Sequence, residues 1–193
     1  MAQKWGLTHP STRTGAIRPR QPVMSNVMPH NLAREIMETR KLLLKAAAIE
    51  KMAGERKVHF LNPNAIRINK SLGDAIGLNN IGVHIIYVEP GNDTTEYHKH
   101  HYEEECVYVL SGKGTLIIEG DAYQFEKGDF VGFPRNTAAH SIVNDGDETL
   151  VCLVMGQRLQ QDVSDYPNKG KRLYRNSGDW NLVDIQHISD PRK

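Results

Sequence analysis

Three histidines, His98, His100 and His101, stand within four residues, and Tyr102 separates them from Glu103, Glu104 and Glu105. On an extended strand, side chains two residues apart project from one face, so His98 and His100 present two imidazoles together while Lys99 points away. A carboxylate shortly downstream and one imidazole from another strand complete three nitrogens and one oxygen. His140, in the alternating run Ala138–Asn144, is the available third imidazole. Glu104 keeps the parity of His98 and His100 on an uninterrupted strand, whereas Glu105 requires a corner after His100; the residues alone leave both open. With no thiolate among the candidates, a closed structural zinc site is disfavoured, and the set suits Fe, Mn, Ni, Co, Cu or zinc with open positions. The expectation is one divalent transition metal ion per chain, with vacant positions for a small-molecule ligand or O2.

Other polar residues carry weaker signals. Tyr97, Tyr102 and Tyr108 can donate to a ligand, and His84 can line the interior. Arg135 and the cluster Lys169, Lys171, Arg172 and Arg175 can hold a phosphate, although charge runs are usually solvated faces. Cys106 and Cys152 lie in strand-like apolar runs, and two cysteines are too few for a disulfide-stapled secreted domain, so both are expected reduced. Cys106 has no evident activating base.

The elements that must position these groups follow from texture. From Asn31 to Ala53 the chain is rich in Ala, Leu, Glu, Lys and Arg, with Leu32, Ile36, Leu43 and Ala47 at spacings of four and seven. One helix is expected there, capped by Asn31 and ended by Gly54, its stripe lying on its own barrel or on a sister subunit. Beyond Arg56, short β-branched and aromatic runs occur at Ile81–Glu89, Glu96–His100, Glu105–Leu110, Gly114–Glu119, Ala122–Phe125, Asp129–Phe133, Ala138–Asn144 and Thr149–Met155. Turn signals such as Ser111-Gly112, Gly120-Asp121 and Lys127-Gly128 separate them. Eight strands with tight hairpins and no intervening helices predict an all-β antiparallel barrel or jelly roll.

The motif spacing resembles the cupin superfamily. Gly91, six residues, His98-Lys99-His100, four residues, Glu105, six residues and Gly112 form one half. Gly128, five residues, Pro134, then His140, three residues and Asn144 form the second, fifteen residues further on. The likeness runs from about Gly82 to Gly156. Two departures stand out: the gap from Gly91 to His98 is one residue longer than the family pattern, and Asn136 replaces a customary glycine, with an extra residue before His140. Asn tolerates a left-handed backbone better than most residues.

The resemblance implies a double-stranded β-helix, or jelly-roll barrel; the texture of the chain outside it adds an N-terminal helix and extended tails, giving residues 1–57 as arm and helix, 58–160 as barrel and 161–193 as a surface extension. The resemblance also implies His98, His100, Glu105 and His140 as metal ligands, because Glu105 has the family's six-residue distance to Gly112. Small members similar to this chain are often described as sugar-phosphate isomerases. The leading functional expectation is therefore a metal-dependent isomerase acting on a small polar metabolite, with Glu104 moving the proton. An Fe(II)-dependent dioxygenase and a non-catalytic, metal-dependent binding or sensor protein are the alternatives.

Charge and hydropathy bound the partners. Lys plus Arg is 24 and Asp plus Glu 23 among 193 residues, a formal charge of +1, so no global field attracts nucleic acid or acidic membranes. Hydrophobic residues, at 39%, suffice for a core, while the longest apolar runs fall far short of the roughly 18 residues a membrane span requires. A cytoplasmic homodimer, binding neither nucleic acid nor membrane, is expected.

Overall fold

The computed structural model describes residues 42–193. The expected arm, and the helix up to residue 41 with its Asn31 cap, Leu32 and Ile36, lie outside the described residues. Within them, the single helix expected to reach Ala53 is not observed. Helix α1 spans only Ala46–Lys51, because Lys45 before it is extended, with φ −74° and ψ 149°. Leu43 is exposed, so it does not share a buried stripe with Ala47. The end of α1 is held by Lys70, whose Nζ donates to the carbonyls of Ile49 at 3.1 Å and Glu50 at 3.0 Å. Those are the carbonyls a helix leaves without partners of its own. No described helix is long and apolar enough to cross a membrane.

The rest is almost entirely β. Strands β1 (Glu55–His59), β2 (Asn62–Ser71), β3 (Ile81–Val88), β5 (Glu105–Ser111), β8 (Phe130–Phe133) and β10 (Leu150–Gln157) form a six-stranded antiparallel sheet ordered β1-β2-β3-β10-β5-β8. A short helix, α2 (Leu72–Ala75), links β2 to β3. Strands β6 (Lys113–Ile118), β7 (Asp121–Glu126) and β9 (His140–Val143) make a second sheet ordered β7-β6-β9. A third sheet, β13-β12-β11-β4, uses β4 (Lys99–His100), β11 (Gln161–Tyr166), β12 (Lys171–Asn176) and β13 (Asp179–Asp184). A His98–His140 bridge joins the second and third sheets edge to edge. The chain is therefore an all-β jelly-roll barrel, and all eight runs read between Ile81 and Met155 fall on β3 to β10.

Alternation along the strands builds the core. Ile86, Val88, Val107, Val109, Leu116, Phe125, Ile142, Leu150 and Cys152 are buried in one cluster between the six- and three-stranded sheets. Gly112 makes the β5–β6 turn possible: its φ is +81°, and a Cβ there would lie 2.6 Å from the Thr149 carbonyl oxygen. Asn136, standing where the family pattern has glycine, adopts φ +52°, as its tolerance of the left-handed region predicts.

Residues 161–193 do more than extend over the surface. Strands β11 to β13 pair in register, and β11 pairs with β4 through Ser164–His100 and Asp165–Lys99. Cys106 and Cys152 are both free thiols; Cys152 lies in the core, where burial pushes its thiol up to about 12.

Candidate metal centre

Two imidazoles are fixed by backbone. His98 and His140 exchange main-chain hydrogen bonds, at 3.0 Å from the His98 amide and 2.8 Å from the His140 amide. His100, two residues after His98, sits on β4 against β11. The chain then turns through residues 101–104 before β5 begins at Glu105. That corner resolves the parity question. Glu105 shares parity with the buried Val107 and Val109 and points into the barrel, whereas Glu104 shares parity with Cys106 and Tyr108 and is exposed. Glu104, expected as a proton carrier, faces away from the three imidazoles. Its amide donates to Gln157 Oε1 at 3.0 Å, and the residue lies outside the histidine-lined cavity.

Ligand atoms of His98, His100 and Glu105 lie within 4.8 Å of one another, and His140 meets the group at Glu105. His98 Nε2 and His140 Nε2 each lie 3.6 Å from Glu105 Oε2, and His100 Nε2 lies 3.8 Å from the same oxygen. Each Nδ1 faces an acceptor: the Glu96 carbonyl at 2.8 Å from His98, Asp162 Oδ2 at 2.6 Å from His100, and the Ala138 carbonyl at 3.3 Å from His140. Protons on the three Nδ1 atoms leave three Nε2 lone pairs directed at one carboxylate oxygen. His140 Nε2 is buried with no hydrogen-bond partner among the described residues, an expense that a cation between the rings and Glu105 would remove.

The electrostatics of His98 and Glu105 suit a cation. Burial holds His98 below its ordinary value, keeping it neutral as a ligand must be. Burial alone would raise Glu105, but the adjacent His140 and His98 imidazoles outweigh it and hold the carboxyl well below its ordinary range. For His100, burial opposes protonation, and the Asp162 hydrogen bond with the Glu105, Asp162 and Glu103 charges overcomes it. Three imidazoles and one carboxylate around a buried orphan nitrogen fit a divalent transition metal with open positions.

Behind His100 lies a polar layer that the sequence did not reveal. Asp162 Oδ1 accepts the amides of Tyr102 and Glu103, and Asp162 Oδ2 accepts from Ser164 Oγ at 3.1 Å. Glu103 is buried; it takes the Leu159 amide at 2.7 Å and the Arg175 guanidinium at 2.5 Å. The basic cluster weighed as a phosphate site is paired instead: Lys169 with Glu96, Lys171 with Asp184, Arg172 with Asp165, and Arg175 with Glu103 and Asp162. His101 Nε2 meets Asp165 at 2.9 Å.

The ligand cluster opens on a cavity of about 270 Å3. Besides the four residues, its wall includes His59, Arg67, Asn69, His84, Tyr166 and Trp180. Tyr97, Tyr102, Tyr108 and Arg135 do not line it, while His84 does. Tyr166 is the cavity's tyrosine, and burial pushes its hydroxyl up to about 12.

Comparison with known proteins adds to this geometry. The cupin domain family profile matches residues 84–156. A solved structure from Acidithiobacillus ferrooxidans, provisionally named a sugar phosphate isomerase, is 68% identical; the match covers 80% of this chain and 99% of that one, with a TM-score of 0.79. A structure from Silicibacter pomeroyi, named a sugar phosphate isomerase from a cupin superfamily, is 25% identical, covering 77% and 96% of the two chains with a TM-score of 0.66. An uncharacterized protein of Methanocaldococcus jannaschii is 31% identical over 95 residues, 49% of this chain. The chain spans 66% of that relative's length, just under two thirds.

Proposed function

Since the chain belongs to the cupin superfamily, we propose that it is a metal-dependent enzyme that isomerises a small sugar phosphate in the cytoplasm. The observation that carries the metal half is the convergence of three Nε2 atoms on Glu105, with His140 Nε2 otherwise orphaned. The substrate class is supported by likeness to two proteins named as sugar phosphate isomerases, one of them 68% identical. Two unpaired cysteines suit a reducing compartment.

A bound divalent ion would supply Lewis-acid polarisation of a substrate carbonyl. The chain's own residues hold and screen that substrate. Burial, with repulsion from His98 and Arg67, holds His59 down to about 4, and its Nδ1 accepts the Leu61 amide at 3.1 Å. The ring proton therefore sits on Nε2, a neutral donor for charge developing on a substrate oxygen. Tyr166, also neutral at pH 7, offers its hydroxyl in the same cavity. Val107, Ile142 and Val154 form apolar wall that excludes water.

The position of Glu104 outside the cavity favours a second reading, a non-catalytic protein in which the metal anchors a metabolite. One screen separates the readings. Metal-reconstituted protein is given sugar phosphates under argon, with zinc and with the native ion, and then in air with Fe(II). Isomerisation should proceed without O2 and with zinc. Turnover only in air with Fe(II) would replace isomerisation by a dioxygenase reaction, and metal-dependent binding without turnover would favour the second reading.

A further inference from the structure

We propose that Arg67 is the anchor for the phosphate group of the ligand, a specificity-determining residue on the cavity wall; this rests on the sugar-phosphate reading above. Arg67 lies on β2 in the parity that also turns Ala65 and Asn69 inward, and both Arg67 and Asn69 line the cavity. Its Nη1 donates to the Thr94 carbonyl. A guanidinium carries five N–H donors, so most of its capacity is left for something else.

The contrast with the other arginines makes the point. Arg158, Arg172, Arg175 and Arg192 each hold a carboxylate, while Arg56 and Arg135 are exposed to solvent. Arg67 is half-buried and, among the described residues, has no carboxylate within ion-pair distance. A half-buried cation with no ion-pair partner, and with Glu105 acting on it only from beyond that distance, is costly, and a binding partner of opposite charge offsets that cost. Glu105 is the one acid among the residues lining this cavity, and it faces the three imidazoles. With a divalent cation held there, the cavity would carry excess positive charge, so its natural occupant is an anion. The guanidinium fork matches an oxyanion in two-pronged geometry. A volume of about 270 Å3 lies just under the usual range for drug-sized ligands, which restricts the occupant to a small metabolite.

The test is calorimetric titration of the full chain, metal-loaded and metal-free, with inorganic phosphate and with acetate as probes. Phosphate should bind the metal-free protein, and Arg67→Gln should weaken that binding about 10- to 100-fold, the range for a hydrogen bond to a charged group. Arg67→Lys should restore part of the loss, and Arg56→Gln, which removes a charge from an exposed position, should change nothing. Metal content and thermal unfolding of Arg67→Gln should match the parent. Equal phosphate affinity in Arg67→Gln, or an Arg67-dependent preference for acetate over phosphate, overturns the proposal. The functional reading fails separately: loss of phosphate binding in Arg67→Gln together with no sugar-phosphate turnover by the parent sinks the isomerase and leaves the anchor standing. Turnover with an unchanged KM in Arg67→Gln does the reverse.

Discussion

Asp162 Oδ2 lies 2.6 Å from His100 Nδ1, so a carboxylate on β11 sets the direction of an imidazole on β4 sixty-two residues earlier in the chain. Such outer partners fix the tautomer of a ligand histidine, and their loss typically weakens metal binding 10- to 100-fold. Asp162→Ala is therefore expected to lower metal affinity by about that factor, measured by titration against a competing chelator. Unchanged affinity would mean that His100 needs no orienting partner.

The ligand assignment has its own test. Elemental analysis should find about one metal per chain in the parent and sharply less in His98→Ala, His140→Ala and Glu105→Gln. Glu104→Gln, whose side chain lies outside the cavity, should retain metal. The opposite ranking of the two glutamates would transfer the ligand role to Glu104.

Stability should fall on mild acidification. The unfolded chain protonates His59 near its ordinary value of 6.5, whereas the folded protein holds it at about 4. Between those values the unfolded state binds more protons, so the contribution of this residue is complete above 6.5 and is lost as pH falls towards about 4. His84, which burial also depresses, adds a slope of the same sign. Denaturant titration of metal-free protein at pH 7.5 and pH 5 should show the drop, and His59→Gln should reduce it. Stability that rises towards pH 5 would contradict the neutral assignment.

Gly112→Ala should destabilise the fold by at least about 1–2 kcal/mol, the cost of a left-handed L-residue. The approach of the new Cβ to within 2.6 Å of the Thr149 oxygen adds to that cost. Chemical denaturation checks it.

A homodimer is expected in solution. Tyr108 on β5 and Phe130 on β8 pair across the outer surface of the six-stranded sheet, 38% and 63% exposed, and association is a common fate for such an apolar face. Light scattering should give twice 21.8 kDa; a mass near 22 kDa at micromolar concentration would count against it.

What could be read from the sequence divides along physical lines. Strands β3 to β10 were legible because their inward residues, such as Val107, Val109, Leu150 and Cys152, are apolar and alternate with their neighbours. Strands β2 and β11 were not, because their inward positions hold Arg67, Asn69, Asp162 and Ser164, which line the cavity or support His100. A hydrophobic period has no signal where a polar layer takes the place of a core. His98 and His100 were legible because their spacing is local, and His140 because it stands in its own alternating run and motif half. Asp162 was invisible because its partner is remote in sequence, and the choice between Glu104 and Glu105 rested on motif spacing because strand parity does not carry across the corner after His100.

The pairing of β11 with β4 also dictates an order of events during synthesis. A ribosome that has released the chain through β10 has delivered His98, His100, Glu105 and His140, but His100 then lacks the carboxylate that aims it, and the cavity lacks Tyr166 and Trp180. The centre can be finished only after Asp162, Tyr166 and Trp180 emerge. Metal captured before that point would meet a looser, more open set of ligands. Loading is thereby tied to synthesis of β11 to β13, and a chain clipped behind β10 should hold its ion poorly even though every ligand remains.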